Sequence, residues 1–245
     1  MKFGLIVIGD EILSGRRRDR HQDYFRRLLA ERGHALQWVQ ILPDDPALLT
    51  ARLRQTMAEG APVFSCGGIG ATPDDHSRRC AAEAAGVPLV RHPQAQALIE
   101  ARFGEAAHPH RVRMADLPEG AELIPNPVNQ VPGFSIRNHF FLPGFPDMAH
   151  PMAAWVMEHH FGTGEGEVER ALQVPGVSEN DLMPLMEALV ARWPTLKFFS
   201  LPRRGEAPFV ELGFRGPAAE VEAAFEELQQ ALTEAGWPYR LDAPR

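Results

Sequence analysis

Three glycines, a threonine and two adjacent carboxylates stand close together in the run Cys66-Gly67-Gly68-Ile69-Gly70-Ala71-Thr72-Pro73-Asp74-Asp75-His76-Ser77. Glycine lacks a Cβ, so backbone N–H groups at Gly67, Gly68 and Gly70 can approach an anion closely. A helix opening just after such a loop adds positive potential to the same spot, the usual arrangement for phosphate. The run is not a Walker loop, because no Gly-Lys-Ser/Thr follows, and its glycine spacing is not the dinucleotide fingerprint. Asp74 and Asp75 have two readings. Either is a good helix cap, and either can hold a cation or activate water beside a bound phosphate.

Three more segments carry chemistry of a related kind. Gly9-Asp10-Glu11-Ile12-Leu13-Ser14-Gly15-Arg16-Arg17-Arg18 sets carboxylates and a hydroxyl beside an arginine cluster. Arginines suit phosphate oxygens and carboxylates suit a hard divalent cation, although three arginines also suit a solvated turn. Leu42-Pro43-Asp44-Asp45-Pro46 ends an apolar run, and Asp45 before Pro46 spells a helix N-cap with proline at the first helical position. Leu142-Pro143-Gly144-Phe145-Pro146-Asp147-Met148 is again a strand end followed by a helix start.

The elements that must position these loops are legible from periodicity. Phe3–Ile8, Leu36–Leu42 and Val63–Cys66 are short continuous apolar runs, as strands covered on both faces require. Between them lie helical repeats at Phe25, Leu28 and Leu29 and at Leu49, Leu53 and Met57, with Gly33 and Gly60 as stops; a third helix is expected from Asp75 to Ala85, before Gly86. A β-α-β-α-β-α order implies a parallel sheet with right-handed crossovers and helices on both faces. All four loops then open on the carboxyl edge of one sheet, where ligands of open α/β sheets bind. Prolines punctuate short strands at Phe134–Ile136 and Phe140–Leu142, and a helix follows from Asp147 to Phe161. Gly162–Gly166 reads as a linker. Beyond it, a strand at Val168–Val174, a helix through Leu182 to Trp193, a strand pair at Leu196–Leu201 and Phe209–Phe214, a helix through Val221 to Leu232 and a last strand near Tyr239 make a small α+β unit. The two domains expected are residues 1–163 and 167–245.

Composition narrows the function classes. The 245 residues carry 25 Lys+Arg against 32 Asp+Glu, a net charge of −7, of which residues 164–245 hold −6 from 8 basic and 14 acidic side chains. That balance is no footprint for nucleic acid, and no apolar run approaches the roughly 20 residues of a membrane span. The apolar start runs into Asp10 and Glu11 where a signal peptide would carry a small-residue cleavage site. Cys66 and Cys80 are too few for a disulfide framework, so a reducing cytoplasm is expected. Cys66 reads as a buried strand end and not a nucleophile, and His76 as a partly exposed first-turn histidine. His108-Pro109-His110 and His159-His160 lack zinc-ligand spacing. The four tryptophans are scattered and read as packing.

The quoted segments resemble a known family. Gly9-Asp10-Glu11-Ile12-Leu13-Ser14-Gly15, Gly67-Gly68-Ile69-Gly70-Ala71-Thr72-Pro73-Asp74-Asp75 and Leu142-Pro143-Gly144-Phe145-Pro146 look like the MoaB/MogA-type molybdopterin-binding domain, in the version of the competence/damage-inducible CinA proteins. The resemblance spans residues 3–160, with Ala71 where proline is usual and Ser77 where threonine is usual. Residues 167–245 look like the KH-like domain that follows it in CinA. The resemblance implies a three-layer α/β fold with an open, mostly parallel sheet, followed by the small α+β KH-like domain. It also implies a small-molecule ligand, a pterin or nucleotide, and a homo-oligomer. Two activities follow from it: binding of molybdopterin or its adenylylated form, or hydrolysis of a pyrophosphate bond of the ADP-ribose or FAD type with a divalent metal such as Mg2+. For hydrolysis the candidate catalytic residues are Glu11, Asp45, Asp74 and Asp75. Ligand contacts are expected from Asp10, Ser14, Gly15, Gly67, Gly68, Gly70, Thr72, Pro143 and Gly144. The sequence ends before the deamidase domain of CinA, so nicotinamide-nucleotide deamidation is not expected. RNA binding is not expected of the C-terminal unit, because its one Gly-x-x-Gly, Gly213-Phe214-Arg215-Gly216, falls at a strand end and not between helices.

Overall fold

The computed structural model describes residues 1–205 and 207–241 and divides into two compact units, Met1–Gly164 and Glu165–Arg245. In the first, β1 (Lys2–Ile8) leads through a one-turn helix α1 (Asp10–Leu13) and α2 (His21–Ala30) to β2 (Ala35–Leu42). Helix α3 (Pro46–Glu59) returns the chain to β3 (Val63–Cys66), and α4 (Ser77–Ala85) follows. Next come β4 (Leu89–Arg91), α5 (Pro93–Phe103), two short 3-10 turns, β5 (Asp116–Pro118), β6 (Glu122–Ile124), β7 (Gly133–Ile136), β8 (His139–Leu142) and α6 (Pro146–His160).

The main sheet has the order β2-β1-β3-β8-β7-β6. The first four strands are parallel, and β7 and β6 run antiparallel to their neighbours. The central strands are buried on both faces, which explains why they spell unbroken apolar runs. Phe3, Leu5, Val7, Phe64, Cys66 and Leu142 pack with Phe25, Leu29 of α2 and Met152, Val156 of α6 on one side. Ile6, Ile8, Val63 and Phe141 pack with Leu49, Leu53 of α3 and Cys80, Ala81 of α4 on the other. This is the expected three-layer, mostly parallel arrangement.

Two features differ from the sequence reading. Helix α4 begins at Ser77 and not at Asp75, because the Asp75 carboxylate is turned back on Thr72 and holds the chain in a turn. Neither Asp74 nor Asp75 therefore caps that helix; the residue at its N-cap is His76, whose side chain makes no capping bond. Residues 87–120 hold the small antiparallel pair β4–β5 and helix α5, which periodicity left unread. Only Ala95 and Ile99 of α5 are buried, too few to print a helical stripe.

The second unit runs β9 (Val168–Pro175), α7 (Glu179–Arg192), β10 (Lys197–Arg203), β11 (Phe209–Gly216), α8 (Ala218–Glu234) and β12 (Arg240–Leu241). Its sheet has the order β10-β11-β9-β12 and is antiparallel throughout. Leu172, Val174, Val210, Leu212 and Phe214 face α7 and α8, which bury Leu182, Leu189, Val221 and Leu228 against them. Gly213 and Gly216 lie within β11. No helix among the described residues is long and apolar enough to cross a membrane.

Candidate functional site

Because β2, β1, β3 and β8 are parallel neighbours, their carboxyl ends lie side by side, and so do the loops that leave them. The chain leaves β1 towards β2 on one side and reaches β3 on the other, so the crevice between β1 and β3 is the topological switch point. Backbone bonds tie the loops together there: Gly9 N–H donates to the Leu42 carbonyl and Gly67 N–H to the Leu142 carbonyl, both at 3.0 Å.

Gly67 fills the crevice. Its φ is +114°, and a Cβ there would lie 2.5 Å from the Ile8 carbonyl oxygen, so no other residue fits without moving β1. A Cβ on Gly144 would stand 3.4 Å from the Gly67 Cα, which puts the Pro143–Gly144 turn directly on the glycine loop.

The loop is held from behind. Ser77 Oγ donates to the Gly67 carbonyl at 2.8 Å and Ser77 N–H to the Gly68 carbonyl at 2.9 Å. The buried Arg78 guanidinium donates to the Gly70 carbonyl at 2.7 Å and also to the carbonyls of Arg113 and Asp116. Burial pulls the Arg78 pKa down, with the carboxylates of Asp116 and Asp75 opposing. The carbonyls of all three glycines are thus occupied on the inner side. Among the described residues the N–H groups of Gly68, Ile69, Gly70 and Ala71 have no acceptor. The loop leaves a run of amides open, with a buried guanidinium on its carbonyl side, and open backbone amides of this kind are able to take an anion. Arg78 went unrecognised in the sequence, because its partners are backbone carbonyls up to 38 residues away.

The acids divide into two sets. Asp75 accepts from the Thr72 N–H at 2.8 Å and from the Thr72 hydroxyl, so it shapes the loop. Asp45 caps α3, taking the N–H groups of Ala47 and Leu48 at 2.8 and 3.0 Å. Asp10, Glu11, Asp44 and Asp74 form the other set. Asp44 Oδ2 accepts from the Asp10 N–H at 3.0 Å. Burial lifts the Asp44 pKa above the usual carboxylate range; the charges of Asp10, Glu11 and Asp74 push the same way, against that hydrogen bond. Asp74 is exposed, and Thr72 holds its carboxyl below the usual range. Asp44 was not among the sequence candidates, and nothing in the Asp-Asp-Pro spelling separates its role from that of Asp45.

Ser14 and Gly15 close the exposed α1 turn through bonds to the Asp10 and Ile12 carbonyls, without a bond to the glycine loop among the described residues. His21 of α2 is 3% exposed and its Nε2 lies 3.2 Å from the Gly144 carbonyl, which secures the Pro143–Gly144 turn. Burial lowers the His21 pKa. The ring packs edge-on to His150, itself stacked on Tyr24 at 3.7 Å. Burial raises the Cys66 thiol pKa strongly, so the thiol is inert.

A divalent cation calls for hard oxygen donors, and Mg2+ in particular is held by one or two carboxylates completed by ligand phosphates and water. The hydrogen bond from Asp10 N–H to the Asp44 carboxylate brings two of these acids to one place in the site. Among the described residues no group of three or more His, Cys, Asp and Glu side chains is already placed to hold a metal alone.

Comparison with known proteins agrees with this architecture. Residues 4–161 match the family model described as a probable molybdopterin binding domain. A CinA-like protein of Geobacter sp. (strain M21) is 30% identical over 246 residues, covering 96% of this chain and 57% of the relative. One from Citrifermentans bemidjiense is 29% identical, covering 86% and 56%. The chain thus spans little more than half the length of these curated relatives, whereas it covers 94% of a Pyrobaculum calidifontis protein at 27% identity. Among solved structures, CinA of Thermoplasma acidophilum, described as of unknown function, superposes with a TM-score of 0.59 at 26% identity, over 64% of this chain and 98% of that one. The chain belongs to the molybdopterin-binding domain family, in a form similar to the CinA-like proteins.

Proposed function

We propose that this protein binds a phosphorylated small molecule, a nucleotide or pterin, at the Gly67–Ala71 amides and hydrolyses a pyrophosphate bond in it with a divalent metal. The observation that carries the reading is the set of four unsatisfied loop amides, backed by Arg78, beside a cluster of mutually repelling carboxylates. The amides take one phosphate, and the buried guanidinium behind them fixes the loop and adds positive potential. Asp10 and Asp44 would hold Mg2+ or a similar ion, which would screen the ligand's charge from the acids. Glu11 and Asp74 are the carboxylates left to orient water and accept its proton. Asp45 and Asp75 act one step back, fixing the loops. Ser14 and Gly15 border the site from the α1 turn, and Thr72, Pro143 and Gly144 shape its floor.

Binding without turnover is the second reading. The lack of a ready three-ligand metal group among the described residues favours it. One experiment separates the two: ADP-ribose, FAD, NAD and adenylylated pterin, each with and without divalent metal, assayed for binding and for product. Metal-dependent product from any of them supports hydrolysis. Tight binding with no product under every metal condition rejects it and leaves a binding or cofactor-assembly role.

The second unit, at a net charge of −6 over residues 164–245, repels a phosphate backbone, and we assign it no nucleic acid. Both cysteines are free and buried, which suits a cytoplasmic protein. A homo-oligomer is part of the same proposal, and sedimentation of the whole chain tests it.

A further inference from the structure

Phe145 is the only Phe, Tyr or Trp among the described residues whose side chain is left exposed, at 53%. All the others are buried or half-buried, including those of the second unit. Its place is not arbitrary. It follows Gly144, which packs on Gly67, so its Cα stands one peptide step, about 3.8 Å, from that contact.

Local structure gives Phe145 no use for its ring. It is the N-cap of α6, and only its carbonyl serves there, accepting from Met148 and Ala149 N–H at 3.0 and 2.9 Å. A small polar residue would cap better. Other exposed apolar side chains on this edge are aliphatic: Leu13 at 53%, which ends α1 beside the acids, Val128 at 55% in the loop after β6, and Leu48 at 38% in the first turn of α3. A charged, glycine-lined edge thus carries one aromatic side chain open to solvent, in the turn whose Gly144 lies against Gly67 of the glycine loop.

We propose that Phe145 is a stacking platform for a flat heteroaromatic ring, and that the ligand of this site is a phosphate ester of a pterin, purine or flavin whose ring lies on Phe145. The proposal rests on the phosphate reading above. It adds the residue that would meet the ring of that ligand, and it makes Phe145 a specificity residue that discriminates such esters from bare phosphates. Stacking on an aromatic tolerates different rings, because each presents a π-face.

The test uses the whole chain and three probes, inorganic pyrophosphate, ADP and FMN, against wild type, Phe145→Leu and Phe145→Trp. Phe145→Leu is expected to weaken ADP and FMN by about tenfold or more while pyrophosphate binding stays unchanged. Phe145→Trp is expected to keep the affinity for ADP and FMN and to quench FMN emission on binding. If Phe145→Leu leaves ADP and FMN affinities as in wild type, the platform is refuted while the phosphate site stands. If Phe145→Leu weakens all three probes equally, the ring only supports the loop, and the proposal fails. If it instead abolishes concentration-dependent self-association with ADP and FMN binding untouched, the exposed face is covered by a second copy, and the proposal fails too. A wild-type protein that holds none of the three probes overturns the phosphate reading and this one together.

Discussion

The two ends of the main sheet obey opposite rules. At the amino end, polar groups close on one another. His139 Nε2 meets the Thr56 hydroxyl at 2.8 Å and Nδ1 lies 2.9 Å from the Arg137 carbonyl; Asn138 Nδ2 donates to the Gly60 carbonyl at 3.0 Å; His34 bridges the amino terminus and the Gly162 carbonyl. At the carboxyl end the carbonyls of Gly67, Gly68 and Gly70 are satisfied while the amides of Gly68 to Ala71 are not, neighbouring acids help to raise the Asp44 pKa, and the Phe145 ring is exposed. The open amides belong to half-exposed residues, and it is there that the proposed ligand site lies. The same strands supply both ends; what differs is whether the partners come from the chain.

The sharpest way to break this comparison is to remove charge at the open end while keeping shape. Glu11→Gln and Asp44→Asn are each expected to lower metal-dependent turnover by about 100-fold or more, with an unchanged unfolding midpoint. Turnover close to wild type in both would take the acids out of the mechanism.

Glycines at the two ends come next. Gly67→Ala places a Cβ against a backbone oxygen at φ +114°, and a loss of about 3 kcal/mol is expected. Gly60 has φ +75° but open space around it, so Gly60→Ala should cost only about 1–2 kcal/mol. Chemical denaturation of both variants measures the gap, and equal losses would mean that the loop does not sit tight on β1.

Acid pH probes the closed end. Burial drives the His139 pKa down from 6.5 to about 4, so the unfolded chain binds more protons between those values. The stability His139 contributes is complete above pH 6.5 and is lost as pH falls towards 4, by an amount on the order of 3 kcal/mol. His150, held at about 4 by burial and by neighbouring His21 and Arg20, loses stability in the same window. His139→Gln is therefore expected to shrink the slope of stability against pH without abolishing it. An unaltered slope would mean that His139 does not titrate there.

The smallest effect belongs to a cap. Asp45→Asn should change stability by less than about 0.5 kcal/mol and Asp45→Ala should cost about 1 kcal/mol, because asparagine caps as well as aspartate. A large fall in turnover with Asp45→Asn would return Asp45 to the chemistry.

Much of this was written locally. Strands β1, β2 and β3 announce themselves as apolar runs because helices cover both faces, and Asp45-Pro46 spells its own cap. The four edge loops follow from strand order alone. What sequence could not carry was the division of labour inside them. Asp75 looks like a cap until its bond to Thr72 delays the helix, and Asp44 gains its role only when Asp10 folds against it. Arg78 and His21 act through backbone carbonyls 38 and 123 residues away, and such partners leave no trace in spacing. Phe145 stands within the Leu-Pro-Gly-Phe-Pro run, but an exposed ring and a buried one are spelled alike.

The position of β8 has a consequence in time. It is inserted between β3 and β7, yet 72 residues separate its first residue, His139, from Cys66 at the end of β3. At a synthesis rate of roughly 5–20 residues per second, a ribosome needs about 4–14 s to cross that stretch. Throughout that interval Val63–Cys66, fully covered in the finished sheet, is a bare edge strand in the nascent chain, and the glycine loop has no Leu142 carbonyl to hold it. The ligand site therefore comes into being late and all at once, and the apolar strand at its heart is the segment most exposed to wrong pairing while the chain is being made.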